Sequence, residues 1–247
     1  MIGMGSGRET VIDDLCSQAE GDESVLAVVL VGSVPKDYDD QRSDIDVELV
    51  VTPRRYEELV KEGRRIIHSE GYDIIHTTLA SIKEAKESGK DEAHWPYVGC
   101  RVLFDKTGAL PSVLEEVARY DDDTRVERLK EHYLGYWGNM LGAISCVRRD
   151  RIWEARIYTA LSMNSLVRLV FNLNGFWAPE IKWASEELTH LDRKPDRFEA
   201  RIGEILADPD IPKISGLWED VARLLRNERY AWVDHPEQIH DTLFAIP

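Results

Sequence analysis

The chain has 247 residues, 43% of them hydrophobic and 31% charged, and a formal net charge of −15 at neutral pH. This composition excludes a disordered chain and leaves room for one large or two modest domains with a real core. No apolar run approaches the ~20 residues that span a bilayer, and the acidic balance argues against a protein built to grip a nucleic-acid backbone, which needs a basic stripe. Acidity of this size either steers a positively charged small substrate toward the protein or serves solubility, and charge alone does not choose.

The N-terminal MIGMGSGRET has no basic segment leading into an apolar stretch, so no signal peptide is expected. Gly3, Gly5 and Gly7 follow no strand, which fails the context test for a phosphate loop and predicts a flexible terminus over residues 1–8. Val11, Leu15 and Ala19 predict a helix, and Asp22-Glu23-Ser24 break it. An apolar strand over residues 25–31 then ends at Gly32-Ser33. After a polar loop, residues 43–49 alternate strictly, with Asp44, Asp46 and Glu48 on one face and Ile45, Val47 and Leu49 on the other. Three acids on one strand face repel each other and have low strand propensity, and a divalent cation is the natural counterweight. Thr52-Pro53 predicts a helix start, with the helix continuing through Tyr56, Leu59, Val60 and Ile66-Ile67 to Gly71. Residues 72–79 predict a third strand carrying Asp73, with His76 on the opposite face as a structural histidine. A helix and polar loop over residues 80–94 lead to Trp95-Pro96-Tyr97 and a further strand over residues 98–105.

The stretch Gly32-Ser33, polar spacer, Ser43-Asp44-Ile45-Asp46 resembles the signature of the DNA polymerase β-like nucleotidyltransferase superfamily, in its small-molecule and minimal nucleotidyltransferase forms. The resemblance covers roughly residues 1–105; Val102-Leu103-Phe104-Asp105 with Gly108 is similar to the strand that closes the catalytic domain in the small-molecule enzymes. It implies a site in which Asp44 and Asp46 hold Mg²⁺, a two-metal arrangement, while Gly32, Ser33 and Ser43 bind the nucleotide. The chemistry suits the residue types: carboxylates at i and i+2 project from one strand face and offer hard oxygen ligands, and a glycine lets the backbone approach phosphate. Asp73 best matches the third carboxylate of such enzymes. Its readings are metal ligand, general base, or a solvent-facing strand residue.

Beyond Gly108 the pattern turns helical. Val126, Leu129, Tyr133, Met140, Ile144 and Val147 follow one long helix, and Ile157, Leu161, Leu166, Val170 and Leu173 another. Pro179, Pro195, Pro209 and Pro212 punctuate shorter ones, which predicts a bundle of five or six helices. Within it, Phe176-Trp177-Ala178-Pro179-Glu180-Ile181-Lys182-Trp183 resembles a segment of helical domains fused to such catalytic domains. Lys182 is either a contact to the triphosphate or a surface lysine, and the aromatics are either a base-stacking platform or core. Cys16, Cys100 and Cys146 are odd in number and widely spaced, which reads as reduced thiols in the cytoplasm without a zinc pattern.

Together these features predict an α+β chain: a nucleotidyltransferase domain over residues 1–108, a small mixed sheet with flanking helices, followed by an all-α bundle over residues 109–247. The implied function is Mg²⁺-dependent transfer of a nucleoside monophosphate, AMP from ATP, to a hydroxyl of an aminoglycoside- or lincosamide-like small molecule or of a protein. Asp44, Asp46 and Asp73 are the catalytic and metal candidates; Gly32, Ser33, Ser43 and Lys182 are the nucleotide-binding ones; Glu131, Glu154 and Glu180 are alternative bases. No membrane partner is expected and nucleic acid is disfavoured. A catalytically silent nucleotide-binding module and an RNA-tailing enzyme are the competing readings, and the oligomeric state is open.

Overall fold

The computed structural model describes residues 5–39 and 43–236, in two compact units, Met1–Arg119 and Tyr120–Pro247. The protein is α+β: a small mixed sheet with flanking helices, then a helical region.

The first unit opens with α1 (Gly5–Gly21), which begins inside the stretch predicted to be irregular. Its first turn is anchored by Arg8, whose guanidinium pairs with Asp39 and donates to the Ser43 carbonyl at 2.7 Å. Strand β1 (Val25–Val31) follows, then a 3₁₀ turn (Val34–Lys36) and β2 (Ile45–Val51). Helix α2 (Pro53–Lys61) starts where Thr52 accepts the Arg55 N–H. Next come β3 (Ile66–Ser69), β4 (Tyr72–Thr77), α3 (Leu79–Ala85), α4 (Asp91–His94), a 3₁₀ turn (Trp95–Tyr97), β5 (Arg101–Asp105) and α5 (Leu110–Ala118).

The strands lie in the order β3-β4-β2-β1-β5, with β2 and β4 parallel and the other neighbours antiparallel. On one face Ala27, Val29, Val31 and Val50 pack with Ile82, Tyr97, Leu110, Leu114 and Val117; on the other Val28, Leu30, Ile45, Val47 and Val51 pack with Ala19 and Leu59. β1 is covered on both sides, which is why it reads as a continuous apolar run instead of an alternating one.

Two predicted boundaries move. The helix expected to reach Gly71 ends at Lys61. Gly63 takes φ +68, a left-handed conformation that stops the helix, and Ile66–Ser69 pairs antiparallel with β4 across the Gly71 turn. β-Branched Ile66 and Ile67 suit that edge strand better than a helix end. The compact division falls after Arg119, not at Gly108, because α5 inserts Leu110, Leu114 and Val117 into the sheet's core.

The second unit is built on an antiparallel pair, α6 (Arg125–Val147) and α7 (Ile152–Asn174), followed by a 3₁₀ turn (Ile181–Trp183), α8 (Ala184–Leu188), α9 (Phe198–Ala207), α10 (Ile211–Asn227) and a 3₁₀ turn (Ala231–Asp234). No strand follows β5 among the described residues. Leu129, Tyr133, Tyr136 and Met140 of α6 and Leu166, Val170 and Phe171 of α7 form the core with Phe198, Leu217 and Leu225. Of the α7 residues expected inside, Ile157 and Leu161 are exposed; Ala155, Thr159, Ser162 and Met163 take the buried positions. The buried face of α7 holds small and hydroxylated residues near its start because α6 passes close there, with Ser162 Oγ donating to the Tyr136 carbonyl at 2.9 Å.

Leu166 is fully buried between the two long helices. Leu166→Ala should therefore lower unfolding stability by about 2–5 kcal/mol, the cost of a core cavity, read from denaturant unfolding of the full chain.

Candidate functional site

β1 delivers the chain to Gly32 at the sheet's edge of chemistry, and the backbone turns there with φ +77. A side chain at this position would collide with Asp46 Oδ2 and lie 2.9 Å from Asp46 Cγ. The Asp46 carboxylate therefore rests on the bare face of Gly32, and only glycine permits both the turn and the approach. Ser33 follows, 3% exposed, and its carbonyl accepts the N–H groups of Lys36 and Tyr38 as the 3₁₀ turn forms.

Asp46 is set by register. It lies opposite Val31 on the antiparallel side and opposite Asp73 on the parallel side. Paired residues of adjacent strands share a face with backbones about 4.8 Å apart, so Asp46 and Asp73 stand side by side. His68 lies opposite Asp73 on β3, and its Nδ1 is 2.9 Å from Asp73 Oδ2. Asp44 departs from its predicted place: β2 begins at Ile45, and Asp44 is an exposed loop residue just before it. Ser43 is half-buried, its carbonyl held by Arg8. His76 is buried on the face away from Asp73, 3.1 Å from the Arg65 carbonyl through Nδ1, and burial holds its pKa below the usual histidine value.

The third member of the acidic row behaves differently from its neighbours. Glu48 is 8% exposed, and Tyr97 donates its hydroxyl to Glu48 Oε2 at 3.0 Å. Burial pushes the Glu48 carboxyl up to about 7, against the Tyr97 hydrogen bond, which lowers it. Burial and the adjacent Glu48 also raise Tyr97, and burial takes Cys100 up to about 11.

Sequence reasoning passed over Lys36. Its Nζ donates to the Gly32 carbonyl at 3.1 Å and sits 4.3 Å from the centre of the Trp95 ring. That places a cation beside the turn and the acidic row. The signal was its spacing, four residues after Gly32 and at the end of a turn too short to carry it away.

Among the described residues, no group of three or more His, Cys, Asp or Glu side chains is gathered to hold a metal ion. The set still fits Mg²⁺, which is held through one or two carboxylates plus substrate phosphates more often than by an all-protein cage; Asp46 and Asp73 supply such a pair. Lys182 belongs to the second unit, where its Nζ pairs with Glu180 at 3.1 Å and lies 5.7 Å from the Trp183 ring centre. In that unit Glu131 is exposed, Glu154 is half-buried, and Trp177 is core, stacked 4.5 Å from the buried Arg128 guanidinium.

A family model described as "Domain of unknown function (DUF4037)" matches residues 94–184, less than half of the chain. No curated protein matches. Among solved structures, a nucleotidyltransferase-like protein from Exiguobacterium sibiricum 255-15 is similar at 12% identity and a TM-score of 0.47, over 92% of this chain and 76% of that one. A likeness of that size leaves the function to the site itself. No helix among the described residues is long and apolar enough to cross a membrane.

Two outcomes test this geometry. Gly32→Ala should cost about 1–2 kcal/mol for the left-handed backbone alone and displace Asp46, seen as a lower melting temperature. Glu48 has a folded pKa above its unfolded value, so it stabilises the fold most below about pH 4.5 and loses that contribution as pH rises toward 7. Glu48→Gln should flatten the stability–pH curve between these values and make the protein more stable than wild type at pH 8, read from denaturant midpoints across pH.

Proposed function

We propose that this protein is an Mg²⁺-dependent nucleotidyltransferase that moves a nucleoside monophosphate, AMP from ATP, to a hydroxyl on a small molecule or a protein. The observation that carries the reading is the Asp46 carboxylate lying on Gly32 with Asp73 in register beside it. A tight glycine turn therefore adjoins a pair of hard oxygen ligands.

In this reading Asp46 and Asp73 hold Mg²⁺, and Asp44 lies beside them at the mouth of the strand. The metal would neutralise charge on the transferring phosphoryl group. The Gly32 backbone and Ser33 position the triphosphate, Ser43 flanks it, and Lys36 supplies a positive charge from a fixed anchor. The acceptor oxygen forms the new bond to the α-phosphorus as the bond to pyrophosphate breaks. The hydroxyl proton passes to a carboxylate, for which Asp73, with His68 at its oxygen, is the candidate. Catalysis of this kind is positioning and charge neutralisation more than covalent chemistry.

The net charge of −15 favours a cationic or amine-bearing acceptor over RNA, because an RNA substrate would have to be drawn against that field. Free Cys16, Cys100 and Cys146 accord with a reducing, cytoplasmic setting.

Mg²⁺ with a non-hydrolysable ATP analogue should raise the melting temperature by ligand linkage. Asp46→Asn should remove most of that rise and abolish acceptor-dependent pyrophosphate release. An unchanged melting shift in Asp46→Asn would sink the metal assignment. Tight, salt-sensitive RNA binding would instead favour the tailing enzyme.

A further inference from the structure

The turn Trp95–Tyr97 sets two aromatics around Pro96 and is pinned from both sides. Just before it, His94 Nδ1 lies 2.7 Å from the Val117 carbonyl of α5; at its end, the Tyr97 hydroxyl donates to Glu48 of β2. Backbone hydrogen bonds from Val98 to Trp95 and from Cys100 to Tyr97 carry the turn toward β5. Trp95 is 4% exposed, so packing on all sides fixes the plane of its ring.

Lys36 lies against this turn. Its stem passes Gly99, which takes φ +69 and where a Cβ would stand 3.6 Å from Lys36 Cγ. Its Nζ ends 4.3 Å from the centre of the Trp95 ring and 3.1 Å from the Gly32 carbonyl. A lysine is a point charge on a four-carbon stem with much rotamer freedom, so its position has to be imposed by its surroundings. An ammonium over an aromatic face is attracted by the ring quadrupole, most strongly for tryptophan and where water is excluded. Carbonyl and ring together set the charge at one place, next to the glycine on which the Asp46 carboxylate rests.

From this geometry we propose that Trp95 is the positioning residue of the donor site. It holds the Lys36 ammonium where the polyphosphate of the nucleotide binds, and so sets donor affinity without touching the nucleotide. The proposal rests on the nucleotidyltransferase reading and deepens it. An ammonium fixed before the ligand arrives has little freedom left to lose on binding, and such preorganisation appears as affinity. Trp95 has almost no surface left on which a base could stack, so its part is played through Lys36. A contact that served the fold alone would change stability and leave phosphate affinity as it was.

Inorganic tripolyphosphate with Mg²⁺, titrated calorimetrically into the full chain, reads donor affinity without turnover. Lys36→Met should weaken it by about tenfold or more. Trp95→Leu should weaken it roughly three- to tenfold, with Trp95→Phe in between. Mono-, di- and trifluorotryptophan placed at position 95 keep the shape of the ring and drain its π density. Affinity should fall stepwise with each added fluorine while circular dichroism shows the fold intact, an ordering that a packing role does not produce. KM for ATP should rise in step while kcat holds, the pattern of binding lost equally from the ground and transition states. An affinity unchanged in Lys36→Met, or flat along the fluorinated series, overturns this proposal and leaves the nucleotidyltransferase reading standing. Tighter binding along the series overturns it as well, because the ring then draws Lys36 away from the ligand. A wild type that binds no tripolyphosphate brings down the nucleotidyltransferase reading, and this proposal with it.

Discussion

The first unit depends on one constraint: β2 is the central strand of the sheet and must carry carboxylates without losing its place there. Its neighbours on both sides are satisfied by ladder hydrogen bonds, and Ile45, Val47 and Val51 bury against α1 and α2. The opposite face changes character along its length. Val50 is core, Glu48 is buried but tied to Tyr97, and Asp46 emerges where β1 ends at Gly32. An unpaired buried charge would be expensive there. The strand meets that cost by degrees, with a carboxyl that is easily protonated in the interior and one laid against a bare backbone at the rim.

That gradient also explains why the acids form a row without forming a cage. Asp46 and Asp73 are neighbours by register, whereas Asp44 falls outside the strand and Glu48 turns inward to Tyr97. Only two of the four acidic positions are arranged side by side. Lys36, anchored between the Gly32 carbonyl and the Trp95 ring, sets a positive charge against them.

Much of this was legible in the sequence. The apolar run of β1, the Gly32-Ser33 break and the alternation of β2 each follow from a period or a backbone requirement that a single residue type reveals. The α+β class and the helical second half were legible for the same reason. The register that sets Asp73 beside Asp46 was not, because pairing between strands separated by a helix is decided by packing, not by local pattern. The burial of Glu48 was hidden too: a glutamate in an alternating strand reads as outward until a tyrosine from residues 95–97 reaches it. Ile66-Ile67 looked helical because the preceding period ran on; Gly63 and Gly71 held the information that it does not. Ile157 and Leu161 read as core because helical spacing reports an apolar face without saying which side of the helix the core lies on.

Arg128 has a further consequence. Its guanidinium lies against the rings of Tyr120 and Trp177, which are themselves 5.0 Å apart and tilted, donates through Nε to Asn172 Oδ1 at 3.0 Å, and reaches Thr124 and the Asp121 carbonyl. These partners come from the segment before α6, the last turn of α7 and the chain just beyond it. One side chain thereby clasps the open end of the hairpin, so fraying from that end must break stacking and hydrogen bonds together instead of one turn at a time. The other end closes in a short turn, Arg148–Arg151, whose backbone N–H groups all donate to carbonyls in the last turn of α6. The hairpin is thus held by side chains at its open end and by backbone hydrogen bonds at its tip.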